Sequence, residues 1–209
     1  MRRARQIYYD AFSRVYDRFV AMHSRDSQRG VREFLAGLLP EGGTGTVLDL
    51  CTGTGALLPY LADKVAPAGK VAGLDFSRGM LREGARKTSA WANVLLVQGE
   101  AGSLPFATGS FRAITCSHAF YELKGDTRER ALREIGRVLQ PGGVFFMMEH
   151  DLPQRPLTRF LFYVRLAVAG AGRVRGFLRQ ERAILEAHFA RVEKILSPSG
   201  RSKVMVCWK

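Results

Sequence analysis

The 209-residue chain is 46% apolar and carries 32 Lys and Arg against 19 Asp and Glu, for a formal net charge of +13. That is enough apolar material for one full core without staples, and no run reaches the roughly 18 uninterrupted apolar residues of a membrane span. Cys51, Cys116 and Cys207 are odd in number and form no C-x-x-C pair, so they read as reduced thiols and make no case for a metal site.

The opening MRRARQIYYD has basic residues but neither the apolar core nor the small-residue cleavage site of a secretory signal, which predicts a cytoplasmic protein. Tyr8, Phe12, Val15, Phe19 and Met22 recur at helical spacing, with Arg14, Arg18 and Arg25 on a neighbouring flank. Such a helix suits three uses: packing on a sheet, closing a site as a lid, or lying in a membrane interface with its arginines toward phosphates. A short apolar strand is predicted at 46–50, followed by a tight turn through Gly53 and Gly55 and a helix near 56–65. A second strand at 70–75 ends on Asp75, twenty residues after the last glycine of the turn. A helix at 78–88 and strands at 93–98 and 112–117 follow. A helix at 127–139, stopped by Pro141-Gly142-Gly143, then leads into a strand at 143–149.

Alternating strands and helices imply an α/β, doubly wound and mostly parallel sheet. The final stretch VEKILSPSGRSKVMVCWK reads as two strands joined at Ser-Pro-Ser-Gly, which makes seven strands. Charge is uneven along this frame. Residues 46–150 hold twelve basic and ten acidic side chains, whereas the flanks together hold twenty basic and nine acidic. An anionic partner is therefore implied, a lipid headgroup surface or nucleic acid, unless the arginines serve solubility alone.

The ordered series strand, glycine turn, helix, strand and acid describes a nucleotide-type cofactor site. Glycine leaves backbone open to a ligand, helix-start amides point into the crevice, and an acid at the next strand tip can accept from ribose hydroxyls. A dinucleotide fingerprint would place a small residue three positions after the second glycine, where Leu58 stands. The segments YDAFSRVYDRF, VLDLCTGTG, VAGLDFSRGML, VQGEAGSLPFATGSFRAITCSHAF and RVLQPGGVFFMMEH, in that order over residues 8–150, resemble class I S-adenosylmethionine-dependent methyltransferases. More narrowly they resemble the ubiquinone/menaquinone biosynthesis methyltransferases (methyltransferase type 11).

That resemblance implies a Rossmann-like fold whose last strand enters the sheet antiparallel, and it assigns expected roles. Asp49 would organise the turn and hold the cofactor's amino group, with Thr52, Gly53 and Gly55 forming the wall beside its amino-acid portion. Asp75 would take the ribose hydroxyls, Phe76 and Met80 would pack on adenine, and Glu100 with the amide of Ala101 would read the base edge. Ser117 falls at the carboxyl edge of the sheet, and Tyr16 matches the tyrosine of a YD pair that reaches cofactor or acceptor in relatives. Cys51 fits as a small packed thiol. His118, Tyr121, Glu122 and His150, together with Glu149, are the polar groups expected to face the acceptor, and His118 has the most useful ordinary pKa for removing a proton.

The domain plan expected is a single unit: residues 1–45 as an N-terminal helical lid, 46–150 as the cofactor core, and 151–209 as substrate-side helices and a C-terminal hairpin. LTRFLFYVRLAVAGAG from Leu157, with Arg173, Arg175, Arg179 and Arg182 behind it, suits a lipophilic acceptor or an anionic membrane surface. The expected activity is methyl transfer to a small lipophilic acceptor at the inner membrane face, either a quinone-ring carbon or a phospholipid amine. An RNA methyltransferase and a non-catalytic cofactor-binding regulator are the alternatives. No metal is expected, and the oligomeric state is left open.

Overall fold

The computed structural model describes residues 6–11, 13, 16, 28–40, 45–65, 68–123, 126–151 and 180–209. The strands β1 (Thr46–Leu50), β2 (Lys70–Asp75), β3 (Val94–Gln98), β4 (Phe111–Ser117) and β5 (Leu139–His150) run parallel to their neighbours. A hairpin of β6 (Arg191–Leu196) and β7 (Ser202–Trp208) completes a seven-stranded sheet of order β3-β2-β1-β4-β5-β7-β6. β7 joins antiparallel to β5, as expected of the last strand. Its turn closes with the Ser197 amide bonded to the Ser202 carbonyl at 2.8 Å, and Gly200 takes the left-handed φ of +69° there.

The helices are α1 (residues 6–11, with 13 and 16 also helical), α2 (Gln28–Gly37), α3 (Leu58–Val65), α4 (Arg78–Lys87), α5 (Asp126–Val138) and α6 (residues 180–186). The strands alternate faces, so the sheet carries a core on each side. On one side Leu48, Leu50, Ile114, Phe145 and Met147 meet Leu132 and Ile135 of α5 and Leu185 of α6. On the other, Val47, Ala113, Phe146, Met148 and Val206 meet Leu35 of α2 and Leu58 and Leu61 of α3. Each fully buried side chain of this kind contributes roughly 1.5–3 kcal/mol. The start of β5 differs from expectation: the strand begins at Leu139 rather than 143, because Leu139 already pairs with Phe111 and the register then shifts to Ala113 opposite Val144.

Strand order reverses between β1 and β4, so the loops after these two strands leave the sheet in opposite directions and open a crevice at its carboxyl edge. The side chains expected to act at a site gather along that edge. Phe12, Val15, Phe19, Met22, the arginines 14, 18 and 25, and the stretch from Leu157 through Arg179 lie outside the described residues. No helix among the described residues is long and apolar enough to cross a membrane.

Candidate active site at the carboxyl edge of the sheet

The turn after β1 is built from left-handed residues: Cys51 has φ +57°, Gly53 φ +55° and Gly55 φ +67°. The two glycines serve different purposes. A Cβ on Gly55 would stand 3.0 Å from the Gly84 Cα and 3.1 Å from the Leu58 side chain, so this glycine lets the turn press against α4. A Cβ on Gly53 would meet nothing within 4 Å, so the backbone here faces open space, a cradle for a ligand. Cys51 rests against the core beside Cys116, whose buried thiol is held protonated by its hydrogen bond to Cys51 and by desolvation.

Two buried carboxylates fix this turn. Asp75 Oδ2 accepts from the Gly53 amide at 2.9 Å, and Oδ1 accepts from the Ser77 amide at 2.9 Å. The Phe76 amide is a third donor to this carboxylate, which has room for one more. Burial raises the Asp75 pKa while the amide bonds oppose the rise. Asp49 accepts from the Thr52 hydroxyl at 2.6 Å and the Thr115 hydroxyl at 2.7 Å, tying the turn to β4. Its desolvation outweighs those two bonds and pushes its pKa up to about 6. A positive group placed beside it would reverse that shift.

The N-terminal helix roofs this region. Asp10 Oδ1 accepts from the Ser77 hydroxyl at 2.5 Å and the Gly79 amide at 2.8 Å, adding a second acid to the start of α4 where Ser77 is already the N-cap. The contact is close enough that a Cβ on Gly79 would stand 2.7 Å from the Asp10 Cα. The Tyr9 ring meets Phe76 edge-on at 5.5 Å, and its hydroxyl bonds Glu122 across the crevice. Tyr8, expected on the inner face, is instead 58% exposed. Tyr9 and Asp10, the first YD pair of the segment, make these contacts. Their signal was in plain view, since YYDAFSRVYD holds two such pairs seven residues apart. Tyr16 continues the helix as a part-buried residue.

The adenine-side residues are placed unevenly. Phe76 is half-buried at the tip of β2, whereas Met80 is 2% exposed and its surface is taken up by the protein itself. Glu100 begins the turn after β3, where its carbonyl accepts from the Ser103 amide at 3.0 Å, and Ala101 is buried behind it.

At the ends of β4 and β5 the edge becomes densely polar. Ser117 donates to the Met148 sulfur. His118 takes the left-handed φ of +53°, its amide bonds the Met148 carbonyl at 2.8 Å, and its ring lies 4.4 Å from that of the exposed His150. Desolvation, followed by the neighbouring His150 and Arg32, lowers the His118 pKa to about 3, so the ring is neutral at physiological pH. That changes the chemistry expected from its ordinary pKa: it is a hydrogen-bonding group and a weak base.

A 3-10 turn, Phe120–Glu122, follows β4 and presents Tyr121 and Glu122. Glu149 is 4% exposed and accepts from the Tyr121 amide at 3.1 Å, and burial raises its pKa to about 8. The Tyr121 hydroxyl donates to Glu181 at 2.6 Å, and Lys203 Nζ bonds the other oxygen of Glu181. Burial and the Glu181 charge push the Tyr121 pKa up, which keeps the phenol protonated. Glu181 and Lys203 were not legible as site residues, because their meeting depends on α6 docking beside β7 opposite Glu149.

Open backbone at Gly53, a carboxylate with free capacity at a strand tip, and a second buried acid beside the turn fit the three polar parts of an adenosine-bearing amino-acid sulfonium. Comparison with known proteins agrees. A family model described as a methyltransferase domain matches residues 47–143. The demethylmenaquinone methyltransferase of Staphylococcus aureus (strain JH9) is 38% identical over 115 residues, which cover 55% of this chain and 47% of that protein. The chain thus matches about half the length of the curated relatives. An Aquifex aeolicus SAM-dependent methyltransferase aligns with TM-score 0.61 and 21% identity, covering 87% of this chain and 89% of that one. A chain of the complex between the Haloferax volcanii Trm112 methyltransferase activator and a methyltransferase aligns with TM-score 0.70 and 19% identity over 97% and 96%. At these identities the solved structures share the fold.

Proposed function

We propose that the chain is a class I S-adenosylmethionine-dependent methyltransferase and that it methylates a small lipophilic acceptor, a quinol-type ring carbon first among them. The observation that carries this reading is that both groups of residues stand along one edge of the sheet. The Gly53 cradle and Asp75 lie at the tips of β1 and β2, and the polar edge of His118, Glu122 and His150 lies at the tips of β4 and β5. The match to a demethylmenaquinone methyltransferase supports the ring-carbon acceptor.

S-adenosylmethionine, when bound, supplies a methyl group already activated on sulfonium sulfur. The protein's part is to orient and to exclude water. Asp75 would accept from a ribose hydroxyl through the lone pair its backbone amides leave free. Asp49 would hold the amino group, which would stabilise its own ionised form. Phe76 and the Glu100-Ala101 turn would border the adenine, while Thr52, Gly53, Gly55 and Ser117 line the remainder. Helix α1, with Tyr9 fixed at both rims, would shut solvent out. Among the acceptor-side groups, His118 and His150 would meet the substrate directly. Tyr121, whose hydroxyl is committed to Glu181, would position the turn that carries Glu122.

Residues 1–45 serve on this reading as the lid and 151–209 as the substrate side, within one domain acting at the inner face of a membrane. The basic flanks support an encounter with anionic lipid, each basic residue contributing about 1 kcal/mol near such a surface. Incubation with methyl-labelled S-adenosylmethionine and a fractionated cell extract tests the proposal. Label in the quinone-containing organic fraction is expected. Label in phospholipid would move the acceptor to a headgroup amine, and label confined to RNA or protein would reject the reading.

A further inference from the structure

We infer that His118 reads an oxygen substituent on the methyl acceptor. Its Nδ1, enclosed at the carboxyl end of β4 with no hydrogen-bond partner among the described residues, is completed by a hydroxyl or carbonyl of the bound molecule. The inference rests on the methyl-transfer reading and narrows its substrate class.

Two unfavourable features coincide at this residue. A buried polar nitrogen left without a partner is rare in folded proteins and destabilises them. A left-handed φ of +53° on a residue other than glycine is strained as well, and such strain gathers at ligand sites. Neither feature is accidental slack in the chain. The amide of His118 is anchored to the Met148 carbonyl, and the ring is held against His150 with its plane tilted by 34°. The imidazole is therefore fixed in place, and Nδ1 is enclosed before any substrate arrives.

The surroundings select what completes it. Arg32 of α2 and His150 of β5 are both near enough to disfavour a positive charge on the ring, and they disfavour a cationic ligand for the same reason. A neutral imidazole can accept from a hydroxyl or donate to a carbonyl, according to its tautomer. An oxygen-bearing ring satisfies Nδ1 and tolerates Arg32, whereas an ammonium headgroup, although it can donate to Nδ1, is repelled by Arg32. His118 thus favours an oxygenated acceptor over an amine.

The test compares 1-naphthol with 1-methylnaphthalene, which puts a methyl where the hydroxyl was, as ligands of the protein saturated with S-adenosylhomocysteine. Calorimetry is the readout. The wild type is expected to prefer 1-naphthol by about tenfold, the value of one neutral hydrogen bond. His118→Asn places an amide near the Nδ1 position and tolerates the left-handed backbone, so it is expected to keep the preference. His118→Gly adopts that backbone freely and is expected to lose it. A preference that survives in His118→Gly, or is missing in the wild type, overturns the inference. S-adenosylhomocysteine affinity, expected to be equal in all three proteins, reports separately on the cofactor site: no binding to the wild type would strike the methyl-transfer reading itself.

Discussion

The Tyr9 hydroxyl donates to Glu122 Oε2 at 2.5 Å, joining two residues 113 positions apart across the mouth of the crevice. The same ring packs edge-on against Phe76 at 5.5 Å, so one side chain links the tip of β2 to the turn after β4.

Tyr9→Phe keeps the ring contact and removes the link to Glu122. The bond is exposed, so the loss is about 1 kcal/mol or less. We expect S-adenosylhomocysteine to dissociate several-fold faster, with the melting temperature almost unchanged. Stopped-flow displacement measures the first and calorimetry the second. An unchanged dissociation rate would show that α1 does not gate the crevice.

Gly79→Ala tests the other end of the roof. The new Cβ would stand 2.7 Å from both the Asp10 Cα and its carbonyl oxygen, and backbone cannot yield as a flexible side chain does. Displacing α1 would also release Asp10 from the Gly79 amide and the Ser77 hydroxyl. A loss of roughly 1–3 kcal/mol in urea denaturation is expected. Full wild-type stability would mean the helix docks elsewhere in solution.

Much of this architecture was legible beforehand, and the reasons are specific. The runs ending in Leu50 and Asp75 and the hairpin turn at Gly200 are governed by local rules, so their positions agree with expectation to within a residue or two. Asp75 could be singled out because spacing from the glycine turn alone puts it at a strand tip. Helical periodicity gives the apolar face of a helix without showing what it docks on, and Asp10 gains its importance from the helix start at Ser77, 67 residues away. Glu181 and Lys203 stayed hidden for a similar reason: a buried ion pair between α6 and β7 has no signature in either segment alone. The chemistry of His118 was also beyond the sequence, because its neutrality comes from enclosure and from Arg32 and His150.

Asp75→Ala removes the acceptor for the Gly53 and Ser77 amides along with the proposed ribose contact. Cofactor affinity should fall by about 1.5–3 kcal/mol, the range for a charge-assisted hydrogen bond. Titration with S-adenosylhomocysteine checks this, and an unaltered dissociation constant would remove Asp75 from the site.

Asp49 and Glu149 together give the ligand-free protein an unusual pH dependence. Their pKa values are raised, Asp49 from 3.8 to about 6 and Glu149 from 4.5 to about 8, so the folded chain holds these protons at pH values where the unfolded chain has released them. Stability should therefore decline as pH rises from about 4 to 8, by an amount on the order of 3 kcal/mol for Asp49 alone. Asp49→Asn should flatten part of that slope and stabilise the ligand-free protein near neutrality, while weakening its hold on the cofactor. Urea titrations across this range provide the check, and stability that climbs with pH would contradict the burial of both groups as charged species.

Calorimetric titration of the purified protein with S-adenosylhomocysteine bears most directly on the central claim that the Gly53 cradle and Asp75 bind an adenosine-bearing sulfonium. One saturable site is expected, weakened in Asp75→Ala by about 1.5–3 kcal/mol and insensitive to nicotinamide dinucleotides. No heat with S-adenosylhomocysteine or S-adenosylmethionine, alongside clear saturation by a nicotinamide or flavin dinucleotide, would contradict it.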